Sequence, residues 1–386
     1  PRLIVEIAPA VAKAAMESGI ARKPIKDLQS YKNKLGHYVY RSGAAMRPLF
    51  ERAKSNPCRV VYAEGEEEKV LRAVQVVINE GLAKPILIGR RDVVLQRIHR
   101  FGLRMEIDKD FELCDPQSDT RYRAYWELYH SICGRKGISV EYAKTVVRTR
   151  NTVIACLMVT RGEADAMLCG LVGQYRDHVN DVHDIIGCAN GINGLYTMNM
   201  LLLDKGTIFI ADTHVVHQPD AHQLVEMTCL AAKKAKGFGI DIKIALLSHS
   251  NFGSDKNPHS RIVREAVRIL HQNHPDLVVE GEMQADTALD QSLRSQFLTE
   301  NHLSGSANLL IMPNLDSASI AYNTLKVLAN GLPVGPILLG AKLPLHIMTT
   351  AATSRSIVNL TAIVVDDANL FARGKKTKNK KALTKG

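Results

Sequence analysis

Residues 58–90 read CRVVYAEGEEEKVLRAVQVVINEGLAKPILIGR, and the period of their apolar residues changes twice. VVYA is a short run without polar alternation, as in a strand buried on both faces. EEEKVLRAVQVVINEG returns its apolar residues every three to four positions, the spacing of an amphipathic helix. PILIG is a second buried strand. A strand, a crossover helix and a strand within about thirty residues predict a βαβ unit and hence a parallel sheet.

Outward from that unit the alternation recurs. EADAMLCG, TIFIAD, KIALLSHS, LVVEG and ANLLIMPN are short apolar runs ending in Gly, Asp, Ser or Asn, with helical stretches such as DAHQLVEMTCLAAKKAKGFG and HSRIVREAVRILHQNH between them. This is the pattern of an α/β protein, in which functional residues collect at the carboxyl ends of strands. The opening IVEIAPAVAKAAMESGI predicts a helix stopping at Gly19, and IARKPIKDLQSYKNKL a connector. The chain starts on Pro1 rather than Met, which reads as a segment of a longer polypeptide. With 386 residues and 46% hydrophobic content it is large enough for two domains or two lobes.

Composition excludes several classes of function. Of the net charge of +11, Arg373 and six lysines in RGKKTKNKKALTKG (373–386) carry seven, leaving +4 for the rest. A lysine run without aromatic residues predicts a solvated, disordered tail and no nucleic-acid partner. No apolar run reaches membrane-spanning length, so no membrane partner is expected. The seven cysteines (58, 114, 133, 156, 169, 188 and 229) form no CxxC pair, as expected of reduced thiols in a cytoplasmic protein, and no metal site is expected of them.

Three polar motifs stand out. Gly65 opens a helix, but Glu64, Glu66, Glu67 and Glu68 favour the helix dipole and repel an anion. LLSHSNFGS (246–254) offers the uncharged donors of Ser248, Ser250, Asn251 and Gly253, which suit an anion and equally suit an ordinary turn. CGLVGQYRDHVNDVHDIIG (169–187) clusters Arg176, Asp177, His178, Asp181, His183 and Asp184. Its histidines lie five apart, about 140° around a helix, so they predict a polar face at a domain junction in preference to a metal site. Neither a Walker loop nor GxGxxG nor GxSxG occurs.

Taken in order, VVYAEGEEEKVLRA, GLAKPILIG, GEADAMLCG, FIADTHVVHQPDAHQL, ALLSHSNFGS, VREAVRIL, PDLVVEGEMQAD, ANLLIMPNLD and VGPILLGAKLP resemble the phosphotransacetylase family, over roughly residues 50 to 370. The resemblance implies an α/β, two-lobed fold, similar to that of the isocitrate and isopropylmalate dehydrogenases, with mainly parallel sheets and a cleft between the lobes. Lobe I would comprise 33–190 and 336–373, and lobe II 191–335. A linker helix would occupy 1–32 and a disordered basic tail 374–386. Such proteins exchange an acetyl group between phosphate and coenzyme A and form dimers. The apolar stretch IVNLTAIVV (357–365) and the adjoining helices resemble the dimer-forming lobe.

One loop departs from the family. In HIMTTAATSRSIVN (346–359) the family's arginine position is Thr350, the serine before it is Thr349, and the following aspartate is Ser356. Threonine and serine neither neutralise a phosphate nor act as a base near neutral pH, so no catalytic residue is expected. The opening PRLIVEIAPAVAKAAMESGIARKPI and the variants SHSNFGS, MPNLD and SRSIVN resemble the malic-enzyme branch, in which this fold follows a catalytic part.

That branch implies a silent domain that binds acetyl-CoA in the old substrate cleft. It would inhibit conversion of malate to pyruvate and CO2 by an attached malic-enzyme catalytic domain of the same chain, within a homo-oligomer. NADP and a divalent metal would sit on that catalytic domain. The effector contacts implied are Tyr322, Asn323 and Lys326 in ASIAYNTLKVL, with Lys342, Thr349, Thr350, Arg355 and Asn359 on the neighbouring loop. The family's basic positions are Asn323 and Val327 here, and Lys326 stands between them. Two other readings remain open: an active phosphate acyltransferase with an altered substrate, and a structural oligomerisation module.

Overall fold

The computed structural model describes residues 2–21, 23–25, 27–31, 43–298 and 301–383. The chain forms two compact units, Pro1–Pro48 and Leu49–Gly386. In the first, the helix Arg2–Glu17 ends at Gly19, whose φ of +73° is the left-handed stop that glycine adopts freely. The linker boundary expected at 32/33 lies outside the described residues, as do the tail residues 384–386.

The second unit holds two sheets. The first joins β1 (Arg59–Tyr62), β2 (Lys84–Ile88), β3 (Glu112–Cys114), β4 (Ala166–Cys169) and β11 (Leu345–Ile347) in the order β11-β4-β1-β2-β3, with every pairing parallel. The predicted βαβ unit is its centre. Helix Glu68–Glu80 buries Val70, Leu71, Val74 and Val77, and Gly81 ends it at φ +64°. Helix Asn151–Thr160 is buried from Thr152 to Val159, because its sequence is apolar on every side.

The second sheet joins β5 (Tyr196–Leu203), β6 (Gly206–Ala211), β7 (Ile244–Leu247), β8 (Val279–Met283), β9 (Leu309–Ile311) and β10 (Leu332–Leu339) in the order β10-β5-β6-β9-β7-β8. Pairings among β6, β9, β7 and β8 are parallel, while β5 runs antiparallel to both β6 and β10. The sheets are thus mainly parallel, with an antiparallel edge. Helix Ala221–Lys236 opens with a capping box in which Asp220 and Gln223 satisfy each other's backbone N–H groups.

Three expectations change. The boundary expected at 335/336 falls inside β10, whose pairing with β5 continues past an irregularity between Val334 and Ile337, so residues up to 339 belong to the second sheet. The last helix runs Ser354–Leu383, through most of the tail expected to be disordered. A packed helix needs no new nucleus, and each further lysine or alanine adds a hydrogen bond. Finally, the apolar residues of IVNLTAIVV are buried within the chain itself: Ile357, Leu360, Ala362, Ile363, Val364 and Val365 are core. They pack where that helix crosses helix Glu68–Glu80, β4 and β10, so they cannot supply a dimer face.

Polar contacts also tie the halves together. Arg52 grips Asp366 through Nε (2.7 Å) and Nη2 (3.0 Å) and donates to the Gly237 carbonyl. Asp367 bonds Lys234, and His346 Nε2 lies 3.2 Å from it, in ion-pair range but outside hydrogen-bond geometry. Burial pushes the Asp367 carboxyl up, but Lys234 and His346 override it and hold it at about 2.

Candidate functional site

In the first sheet the chain leaves β1 for β2 on one side, while β4 lies on the other. The carboxyl ends of β1 and β4 therefore flank a topological switch point, where ligands of open α/β sheets bind. Glu64 follows β1 there. Its Oε1 accepts from Gly170 N (2.7 Å), just past β4, and its buried Oε2 has no partner among the described residues. Gly170 (φ +99°) has no room for a side chain, since a Cβ would stand 2.5 Å from the Met348 carbonyl after β11. Thr349 and Thr350 come next, and Lys69 Nζ reaches the Thr350 carbonyl at 3.1 Å. Three strand ends converge on one buried carboxyl.

Burial pushes the Glu64 carboxyl up to about 7, against the lowering effect of the Gly170 and Leu171 N–H groups. A carboxyl raised on folding contributes stability that is complete below its unfolded pKa, near 4.5, and is lost as pH rises through about 7. Glu64→Gln removes that loss. Its stability relative to wild type should rise by about 3 kcal/mol between about pH 4.5 and pH 8 in urea unfolding. A constant difference would show that Glu64 titrates as an ordinary carboxyl.

A second cluster lies where the halves meet. Tyr175, at the start of helix Tyr175–Ile185, packs its ring on His214 with centroids 4.7 Å apart. Arg176 donates to the Val215 carbonyl (2.8 Å) and to His217 Nε2 (2.9 Å). The polar segment predicted as a junction face thus makes cross-junction contacts through Arg176. His214 and Val215 follow β6, whose end is held by buried Asp212. Burial and the nearby Lys326 charge push His214 down to about 4.

Of the effector residues implied by the family, Tyr322, Asn323 and Lys326 come together on helix Leu315–Leu328. Lys326 Nζ stands 5.1 Å from the Tyr322 ring centroid and donates to Asn323 Oδ1 at 2.8 Å. Tyr322 is packed into the core of the second half, and burial pushes its hydroxyl up to about 12. The others sit on the first half. Lys342 is exposed, Thr349 and Arg355 are half-buried, Thr350 is exposed, and Asn359 is buried. Ser356, expected at the family's aspartate position, serves the helix: Thr353 Oγ1 accepts from its N–H at 3.2 Å and lies 3.0 Å from its hydroxyl. Glu64, Tyr175 and His214 were missed, although each stood in a quoted motif at or after a strand end.

Two other motifs resolve as structure. In SHSNFGS the donors turn inward: Ser250 Oγ (2.8 Å) and Gly253 N (3.1 Å) meet Glu282 Oε1, and Arg264 Nε meets Oε2 (2.8 Å). Gly65 donates its N–H to Ile88 O, and a Cβ there would stand 2.8 Å from that oxygen, so this glycine lets two strands approach. His178 has both ring nitrogens engaged, by Thr152 Oγ1 and the Val172 carbonyl, each at 2.8 Å. Among the described residues there is no group of three or more candidate metal ligands, and no helix long and apolar enough to cross a membrane.

The two-sheet fold and its motifs agree with a family model, phosphate acetyl/butaryl transferase, over residues 44–365. The chain belongs to that family. A phosphotransacetylase from Streptococcus pyogenes superposes with a TM-score of 0.78 at 29% identity, covering 85% of this chain and 98% of that one. Within the family, the chain resembles the C-terminal phosphotransacetylase-like region of bacterial malic enzymes. It is 46% identical over 369 residues, 95% of its length, to the NADP-dependent malic enzyme of Escherichia coli, and covers 49% of that enzyme. The phosphate acetyltransferase of Clostridium acetobutylicum is 29% identical over 83% of this chain and 97% of its own length. The chain spans about half the length of the malic enzymes it matches.

Proposed function

We propose that this chain is a catalytically silent phosphotransacetylase-like domain that binds acetyl-CoA and thereby inhibits an attached NADP-dependent malic enzyme. The observation that carries the reading is the loop after β11. It keeps the family's surroundings but places Thr350 and Ser356 where an arginine and an aspartate belong, and Ser356 is engaged by Thr353 at the start of a helix. On this reading Lys326, Lys342 and Arg355 meet the phosphates of the coenzyme A, among small polar residues on both halves. NADP and the divalent metal belong to the catalytic part, malate is its substrate, and the location is cytoplasmic. The domain forms a homodimer through helices other than the buried 357–365 stretch.

Binding to the folded state alone raises stability through linkage, so saturating acetyl-CoA is expected to raise Tm. Hydrogen bonds to charged groups contribute about 1.5–3 kcal/mol each, so Lys326→Ala or Arg355→Ala should weaken binding roughly tenfold or more and reduce the shift. In the full-length enzyme the same substitutions should relieve inhibition by acetyl-CoA. The reading fails if acetyl-CoA moves neither the Tm nor the malate turnover. Light scattering on the same sample tests the dimer.

A further inference from the structure

The hydrogen bonds behind His214 determine which of its ring nitrogens carries the proton. Asp212 is the anchored end of the chain. Its Oδ1 accepts from Thr197 N (3.1 Å), the Thr197 hydroxyl, His214 N (2.9 Å) and Val215 N (3.2 Å), and its Oδ2 from Val216 N (2.8 Å). Burial pushes this carboxyl up. Yet five donors converge on it, and a protonated acid would set its O–H against them, so the arrangement suits the carboxylate.

The Thr197 proton is therefore committed to Asp212. The Thr197 oxygen also accepts from Thr213 N (3.1 Å) and lies 3.2 Å from Thr213 Oγ1, and with its own proton engaged it can only accept there. That commits the Thr213 proton in turn. Thr213 Oγ1 accepts from Asn199 Nδ2 at 2.7 Å, which leaves one lone pair for the contact with His214 Nδ1 at 2.8 Å. The histidine must donate that bond. Each hydroxyl then donates once and accepts twice, its full capacity. The other tautomer would set the lone pairs of Thr197 and Thr213 against each other.

We propose that this relay presents His214 Nε2, at the junction of the two halves, as the hydrogen-bond acceptor for an N–H group of the bound ligand. On the reading above, on which this assignment of ligand rests, that group is an amide of the pantetheine arm of acetyl-CoA. No protein donor meets Nε2 among the described residues. Tyr175 packs against the ring, Lys326 supplies a nearby positive charge, and Arg176 and His217 bond each other beside it. With Lys326 and burial both opposing a second proton, the imidazole is neutral at neutral pH. Lys326 is then the partner for an anionic part of the ligand, and His214 the partner for a neutral donor.

Two measurements test this. In protein labelled with nitrogen-15 histidine, long-range proton–nitrogen spectra should show His214 protonated at Nδ1 and bare at Nε2, and Thr213→Val should release a mixture of tautomers. A wild-type His214 carrying its proton on Nε2 overturns the relay. Acetyl-CoA titrated by calorimetry should bind His214→Ala and His214→Asn roughly tenfold more weakly than wild type. His214→Gln, whose amide oxygen reaches the Nε2 position, should recover to within about threefold. Equal losses for Gln and Asn overturn the acceptor role. A wild-type chain with the Nδ1–H tautomer that does not bind acetyl-CoA overturns the ligand assignment and the proposed function together, while leaving the relay intact.

Discussion

Mixed with acetyl phosphate and coenzyme A, the chain is expected to form no acetyl-CoA above the uncatalysed rate. Transfer to a thiol requires a fixed cation where charge develops and a base for the departing proton, and each is worth about 10²-fold or more. At the positions where the sequence resemblance expects these groups stand Thr350, whose carbonyl accepts from Lys69, and Ser356, whose N–H is taken by Thr353. Rates at least about 10⁴ below a working transferase follow if the two losses multiply. The increase in thioester absorbance measures this directly. Turnover that Thr350→Ala abolishes would instead mark an active acyltransferase with an altered substrate.

The second large effect concerns folding. Glu282 is wholly buried on β8, and its carboxylate is held by Arg264, Ser250 and the Gly253 N–H. Burial works to raise its pKa, but Arg264, Ser250 and Gly253 outweigh it, and the net position is low. Arg264→Met leaves a buried charge without its counter-ion, which costs about 2–3 kcal/mol, below the loss for a fully buried pair because Arg264 is 40% exposed and Ser250 and Gly253 still donate. A carboxyl lowered on folding contributes stability that is present above its unfolded pKa and is lost as pH falls through the folded value. The destabilisation by Arg264→Met should therefore be largest near neutral pH and shrink in acid. Denaturant unfolding at several pH values checks both size and sign, and a pH-independent difference would mean that Arg264 acts by packing alone.

Much of this architecture was legible along the chain. The changes of period in residues 58–90 predicted the parallel β1–β2 unit, because the spacing of apolar residues reports which face of an element is buried. The helix stops at Gly19 and Gly81 were equally readable, since each needs the left-handed backbone that glycine adopts without strain. The absence of carboxylates from residues 346–359 could be read from residue identity alone. A threonine carries no charge wherever the chain places it.

Periodicity reports that a face is buried, not what buries it. YTMNMLLL and VGPILL are apolar runs more than a hundred residues apart, and only their pairing shows that β5 and β10 form an antiparallel edge. IVNLTAIVV has the composition of an interface, and became core because a helix of its own chain, together with β4 and β10, arrived first. His214 shows the same division. The succession Asp212, Thr213, His214 is plain in the sequence, but the direction of its protons depends on Thr197 and Asn199 from the neighbouring strand. Its ring contact, Tyr175, comes from the other half. Residue identity and spacing set the elements, the charges and the donor types. The tertiary structure decided which of those groups meet, because hydrogen bonds and desolvation act over a few ångströms of space whatever the distance along the chain.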